Sequence, residues 1–94
     1  MTKPKVSILI MTYNQDAYLA KAIQSALAQT YENIEILISN NGSTDNTSKI
    51  VESFLPNKKI IFQNYPTNEP ATLRQNQAID AATGEFISWL YGDD

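Results

Sequence analysis

The sequence predicts an α/β protein built on an open parallel sheet in the order 3-2-1-4, with helices on both faces. Three observations carry that prediction. Short apolar runs, rich in β-branched side chains, alternate with stretches whose apolar residues recur every three or four positions. Strand and helix in strict alternation fit one parallel sheet joined by right-handed βαβ crossovers. Polar clusters follow the first, second and fourth runs, and an open parallel sheet holds its ligands outside the carboxyl ends of its strands, where strand order reverses.

Residues 6–11 form the first run and read as a strand buried on both faces, as parallel strands are. Thr12, Tyr13 and Asn14 follow it. A helix then presents Leu19, Ala22, Ile23, Ala26 and Leu27 on one face, with Asn14 or Asp16 expected as its cap. After a polar connection over 29–33, Ile34, Ile36, Leu37 and Ile38 make a second buried strand that ends in Ser39. The turn over 40–45 is rich in residues that tolerate left-handed backbone, and Ser43 or Thr44 is expected to cap the next helix. That helix carries Ile50, Val51, Phe54 and Leu55 and stops at Pro56. Residues 59–62 are the third strand, and residues 63–70, with two prolines, a longer loop. A third helix is expected over 71–82, with Ala71, Gln75, Ala78, Ile79 and Ala82 on one side and Gly84 as its stop. Residues 86–90 are the fourth strand, read as buried.

The composition bounds what this sheet can do. Ninety-four residues make at most one small domain. With 43% hydrophobic residues the chain is an ordinary globular one, and seven basic against ten acidic side chains, with no basic run, leave no electrostatic footprint for nucleic acid. The absence of cysteine and histidine excludes a disulfide scaffold, a thiolate zinc site, a cysteine nucleophile and the usual general base. A catalytic acid or base must be a carboxylate or lie outside the chain. No run approaches the roughly 20 apolar residues that span a bilayer, and the start lacks a signal-peptide layout, so the expected location is cytoplasmic, with a position peripheral to a membrane left open for the full-length protein.

The fourth strand delivers Tyr91, Gly92, Asp93 and Asp94. Paired carboxylates at a strand end suit a hard divalent cation, Mg²⁺ or Mn²⁺, which takes oxygen ligands and leaves positions for substrate phosphate. Gly92 has no side chain to block that approach. The same three residues would also serve as a plain turn. No glycine follows strand one, so the dinucleotide fingerprint and the Walker A loop are both missing. Arg74 is the single arginine, so a polyanionic substrate would need a metal to neutralise it. The chain closes on the acid pair with no element after it, which reads as the N-terminal part of a longer domain cut at the metal motif.

Four segments in order carry a family resemblance: Val-Ser-Ile-Leu-Ile-Met-Thr-Tyr-Asn, Ala-Leu-Ala-Gln-Thr-Tyr-Glu-Asn-Ile-Glu-Ile, Asn-Asn-Gly-Ser-Thr-Asp-Asn-Thr and Ala-Thr-Gly-Glu-Phe-Ile-Ser-Trp-Leu-Tyr-Gly-Asp-Asp. Together they resemble the family-2 glycosyltransferases, whose fold is the Rossmann-like GT-A type. The resemblance implies transfer of a sugar from a nucleotide-sugar donor, often a UDP-sugar, to an acceptor hydroxyl of a saccharide, lipid or protein with inversion. It implies that Thr12, Tyr13 and Asn14 border the nucleotide, and that Asn40 falls where the family has the aspartate that pairs with the base. Asn41, Arg74 and Gly92 complete the expected nucleotide contacts. It places Asp93 on the last acid of the metal-holding Asp-x-Asp, with Asp94 as a helper, and Tyr91 where the first acid is usual. Gln75 and Asn76 stand at the family's Arg-Asn pair, with Arg74 one place early. The general base is expected after Asp94.

Two other readings belong to different classes. One is a non-catalytic nucleotide-binding or interaction module of the same fold, favoured by Asn40 and Tyr91, each standing where the family has an acid. The other is a nucleotidyltransferase, disfavoured by the missing glycine-rich loop after strand one.

Overall fold

The computed structural model describes residues 4–29 and 31–91. Seven elements alternate along them: β1 (Val6–Thr12), α1 (Asp16–Leu27), β2 (Ile34–Asn41), α2 (Thr47–Phe54), β3 (Ile60–Tyr65), α3 (Ala71–Ala81) and β4 (Phe86–Tyr91). The strands form one parallel sheet in the order β3-β2-β1-β4, as the alternation predicts. Its register aligns Ile8 with Ile36, Leu9 with both Leu37 and Trp89, Met11 with both Ser39 and Tyr91, and Thr12 with Asn40.

Because side chains alternate across a strand, this register sorts the sheet into two unlike faces. Ile8, Ile10, Ile36 and Ile38 point to one face, where they meet Leu19, Ile23 and Ala26 of α1 and Val51 of α2. Each fully buried aliphatic side chain there contributes about 1.5–3 kcal/mol by leaving water. On the other face α3 covers only a small apolar cluster of Leu9, Leu37 and Ala78.

Polar residues hold that second face together. Glu35, 5% exposed, accepts on Oε2 from Ser7 Oγ (2.6 Å) and Thr83 N–H (2.7 Å), and on Oε1 from Thr83 Oγ1 (2.9 Å) and Lys5 Nζ (3.3 Å). Burial alone would raise the Glu35 pKa, but those donors outweigh it and hold the carboxyl at about 2, against an ordinary 4.5. Gly84 N–H donates to Ser7 Oγ (2.9 Å). A Cβ on Gly84 would stand 2.5 Å from that oxygen and 2.7 Å from the Ser7 backbone nitrogen, so glycine is required for β4 to start against β1.

Several expectations give way to the geometry. α1 begins at Asp16 after Gln15, which makes no side-chain cap, and neither Asn14 nor Asp16 caps its own helix. Asp45 does so from the neighbouring loop, accepting the Asp16 N–H (3.1 Å). Asp45 also caps α2, accepting the Thr47 N–H (3.0 Å) and hydroxyl, so Ser43 and Thr44 are not its caps. β3 runs on to Tyr65 and shortens the following loop to residues 66–70. α3 turns Arg74 and Ala78 inward, while Ile79 is 42% exposed. Arg74 is anchored beneath α3 by polar partners, and this rotates the helix away from its apolar stripe. β4 is an edge strand, with Phe86, Ile87 and Trp89 exposed, because only β1 pairs with it among the described residues. Among those residues no helix is long and apolar enough to cross a membrane.

Candidate functional site

The carboxyl ends of β1 and β2, together with the start of α3, enclose a cleft of about 170 Å³. Met11, Tyr13 and Ala71 give it apolar walls, and Thr12, Gln15, Ser39, Asn41, Arg74 and Gln75 supply polar groups. It is smaller than the ~300–1,000 Å³ clefts that enclose a drug-sized ligand, and is the size for one flat ring rather than a whole nucleotide. The Ser39 side chain is fully buried and that of Thr12 nearly so, and both hydroxyl oxygens lack a hydrogen-bond partner. Thr12 is in register with Asn40, so its side chain falls on the α1 and α2 face, whereas Ser39 shares the α3 face with Met11 and Asn41. Buried hydroxyls are almost always satisfied, so the unsatisfied one of Ser39 points to a polar ligand on the cleft.

The loops above the cleft hold each other in place. Asn14 has a positive φ of 48°, a conformation asparagine tolerates. There its N–H donates to Ser43 Oγ (2.9 Å) and its Oδ1 accepts from Thr44 N–H (2.8 Å). Asp16 Oδ2 accepts from Asn46 N–H (3.1 Å), which reciprocates the bond from Asp16 N–H to Asp45. The Asp45 pKa is lowered, since bonds from Thr47 and Asp16 overcome the opposing effect of burial.

Asn40 and Asn41, adjacent in sequence, take opposite faces of β2. Asn40, 1% exposed, points toward α2: its Nδ2 donates to Asn64 Oδ1 (2.8 Å) and Ser48 Oγ (3.5 Å), and its Oδ1 accepts from Ser43 N–H (3.1 Å). It does not line the cleft. Asn41 does, and its amide pairs with the Glu69 peptide in both directions, Nδ2 to the carbonyl (2.8 Å) and Oδ1 from the N–H (2.9 Å). Gly42, at φ +71°, makes this possible, since a Cβ there would lie 2.3 Å from the Thr67 carbonyl carbon.

Arg74 is 4% exposed and donates from Nε to Asn41 Oδ1 (2.8 Å), from Nη1 to Gln77 Oε1 (3.1 Å) and from Nη2 to the Thr67 carbonyl (2.6 Å). Its Cζ stands 3.8 Å from the centroid of the Tyr65 ring. No carboxylate among the described residues forms an ion pair with it. Arg74 therefore sets the Asn41 amide and the 66–70 loop, and is not free to wrap a phosphate.

Of the nucleotide contacts expected from sequence, Thr12, Tyr13, Asn41 and Arg74 come together at the cleft, while Asn14 and Asn40 are held in loop and sheet contacts. Gly92, Asp93 and Asp94 lie outside the described residues. Met11, the register partner of Tyr91, lines the cleft, so β4 ends beside it. Met11, Gln15, Ser39, Ala71 and Gln75 were not anticipated as site residues. The one signal for Ser39 is a small hydroxyl directly after the aliphatic run Ile36, Leu37 and Ile38.

The profile of the family described as glycosyl transferase family 2 matches residues 7–94. An uncharacterized glycosyltransferase of Rickettsia typhi is 45% identical over 91 residues, which cover 97% of this chain and 28% of that protein. A putative glycosyltransferase of Bacillus subtilis, EpsH, is 38% identical over 97 residues, covering all of this chain and 27% of its own length. The chain thus spans less than a third of both relatives. The TarS 1–349 structure from S. aureus in complex with UDP-GlcNAc superposes with a TM-score of 0.84 at 29% identity, covering 95% of this chain and 26% of that one. A mannosyltransferase from Pyrobaculum calidifontis, in complex with GDP-Man and Mn²⁺, shares the fold with a TM-score of 0.88 at 21% identity, covering 98% and 28%. The sheet order, the cleft at the strand ends and a family match over nearly the whole sequence agree: this chain belongs to glycosyl transferase family 2.

Proposed function

We propose that this chain is the donor-nucleotide half of an inverting glycosyltransferase, and that its cleft takes the base of a nucleoside-diphosphate sugar, UDP-linked donors included. The observation that carries the reading is the buried, unpartnered hydroxyl of Ser39, beside the Asn41 amide on a ring-sized cleft at the carboxyl ends of the strands. The UDP-GlcNAc complex of TarS supports a nucleotide-sugar donor in this fold. The base-facing role passes from Asn40, whose amide is turned to the α2 side and bonded to Asn64 and Ser43 there, to Asn41.

In this reading Met11, Tyr13 and Ala71 enclose the flat faces of the ring and exclude water, while Ser39 and Asn41 meet its polar edge. Arg74 holds Asn41 rigid, so the edge contact is pre-organised and little is lost on binding. The remainder of the intact protein supplies the acceptor site and the general base that removes the acceptor hydroxyl proton.

The described residues contain no group of three or more metal-ligating side chains, and the cation lining the cleft, Arg74, is already engaged. One guanidinium whose N–H groups are turned to Asn41, Gln77 and Thr67 balances only part of the charge of a donor diphosphate, which fits the divalent ion, Mg²⁺ or Mn²⁺, that Asp93 and Asp94 would hold. Such an ion acts as a Lewis acid on the departing diphosphate. UDP titrated into the intact protein, with and without Mn²⁺, tests the reading. Binding should strengthen with metal, and Asp93→Asn should remove most of that gain. Equal metal dependence in parent and variant would contradict the acid-pair assignment, and a parent that binds neither UDP nor another nucleoside diphosphate would contradict the donor site itself.

A further inference from the structure

If a nucleotide base occupies the cleft, as proposed above, the neighbours of Asn41 fix what its amide can offer that base. Oδ1 already accepts two hydrogen bonds, from Arg74 Nε (2.8 Å) and Glu69 N–H (2.9 Å), which uses both lone pairs. Nδ2 gives one hydrogen to the Glu69 carbonyl (2.8 Å). With donors on one side of the amide and a carbonyl on the other, only one orientation satisfies all three bonds. What remains for the cleft is a single N–H, a donor without an acceptor. Ser39 Oγ, buried on the same cleft, rotates to donate or accept and so adds affinity without choosing a base.

We propose that the site holds a pyrimidine by donating to its ring carbonyl oxygen, and that with asparagine at 41 it does not read the N3 position that separates uracil from cytosine. Both bases carry the C2 carbonyl that such a donor needs. They differ at N3, an N–H in uracil and a bare nitrogen in cytosine, and at C4, a carbonyl in uracil and an amino group in cytosine. An aspartate at 41 would keep one oxygen on Arg74 and Glu69 and turn a second, accepting oxygen to the cleft. That oxygen would take the uracil N3–H and repel the cytosine lone pair. Asn41 is in this account the specificity-determining residue, and the chain accepts uridine and cytidine nucleotides alike.

Calorimetric titration of the intact protein with UDP and with CDP, each in the presence of Mg²⁺, tests this. The parent should bind the two within about threefold of each other, and Asn41→Asp should shift the ratio toward UDP by about tenfold or more, the scale of one mismatched hydrogen bond in a dry site. The ratio is taken within one protein, so any affinity lost with the Glu69 contact cancels. Where the variant does not fold, the parent's own ratio decides. A parent that prefers either nucleotide by tenfold or more, or a ratio that Asn41→Asp leaves unmoved, would overturn the proposal while leaving the donor site intact. Binding of neither nucleotide would remove the donor-site reading and this proposal together.

Discussion

The two faces of the sheet use the same strands for different ends. Toward α1 and α2, β1 and β2 offer Ile8, Ile10, Ile36 and Ile38, a uniform aliphatic surface whose job is burial. Toward α3 the intervening residues are Ser7, Leu9 and Met11 on β1, and Glu35, Leu37, Ser39 and Asn41 on β2, a file that alternates polar and apolar groups. The polar members fall into two groups separated by one layer of leucine. At the amino ends of the strands Glu35 and Ser7 are fully bonded and tie β4 into the sheet. At the carboxyl ends Ser39 has no partner and Asn41 keeps one hydrogen free. A buried polar group that is satisfied is part of the framework, and one left unsatisfied on a cleft marks where a ligand completes it.

The largest loss of stability is expected from the aliphatic face. Ile38→Ala should cost about 2–5 kcal/mol, since a fully buried side chain leaves a cavity between the sheet and its helices. Urea unfolding of the intact protein measures it, and a cost below about 1 kcal/mol would mean that the aliphatic face is not the source of stability.

Next in size is the satisfied polar group. Glu35 has a folded pKa of about 2 against an ordinary 4.5. A depressed carboxyl stabilises the fold above its unfolded pKa, and that contribution is lost as pH falls through the folded one. Stability should therefore be level above about pH 5 and decline toward pH 2, by about 3 kcal/mol for this group. Glu35→Ala should lower stability at neutral pH and flatten the decline in that window. An unchanged profile in the variant would show that Glu35 is not the titrating support.

Asp45→Ala should cost about 1–2 kcal/mol, because one side chain caps two helices whose first N–H groups would otherwise go unpaired. Thermal unfolding checks this, and Asp45→Asn, which retains one accepting oxygen, should recover part of the loss.

The smallest effect on stability is expected at Ser39. Ser39→Ala removes a hydroxyl with no partner, so stability should stay within about 0.5 kcal/mol of the parent or rise. UDP affinity should nevertheless fall about fivefold, the worth of one modest hydrogen bond. A loss of stability without a change in affinity would place Ser39 with Glu35, as framework.

Much of this was legible in the residues. The alternation of aliphatic runs with three-and-four spacing gave the parallel sheet, because parallel strands need crossovers and long apolar runs. Thr12, Tyr13 and Asn41 were legible as rim residues from their place after strands. What the pattern could not settle was which side of the sheet each rim residue faces. Asn40 and Asn41 are chemically identical and one residue apart, and the period of two in a strand sends them to opposite faces. The caps were missed for a related reason. Local rules look for a capping side chain at the helix's own start, whereas Asp45 reaches the start of α1 from the loop after β2. The inward turn of Arg74 likewise depends on Asn41 and Thr67, both distant in sequence.

In the proposed binding mode the nucleotide base sits on the α3 face of the sheet, over Ser39 and Asn41. A crystal structure of the intact protein with UDP and Mn²⁺ tests it most directly. The pyrimidine ring should lie between Tyr13 and Ala71, with Ser39 Oγ and Asn41 Nδ2 within hydrogen-bond distance of its edge. A ring placed against Asn40 on the α2 side, or a cleft left vacant with UDP bound elsewhere, would contradict it.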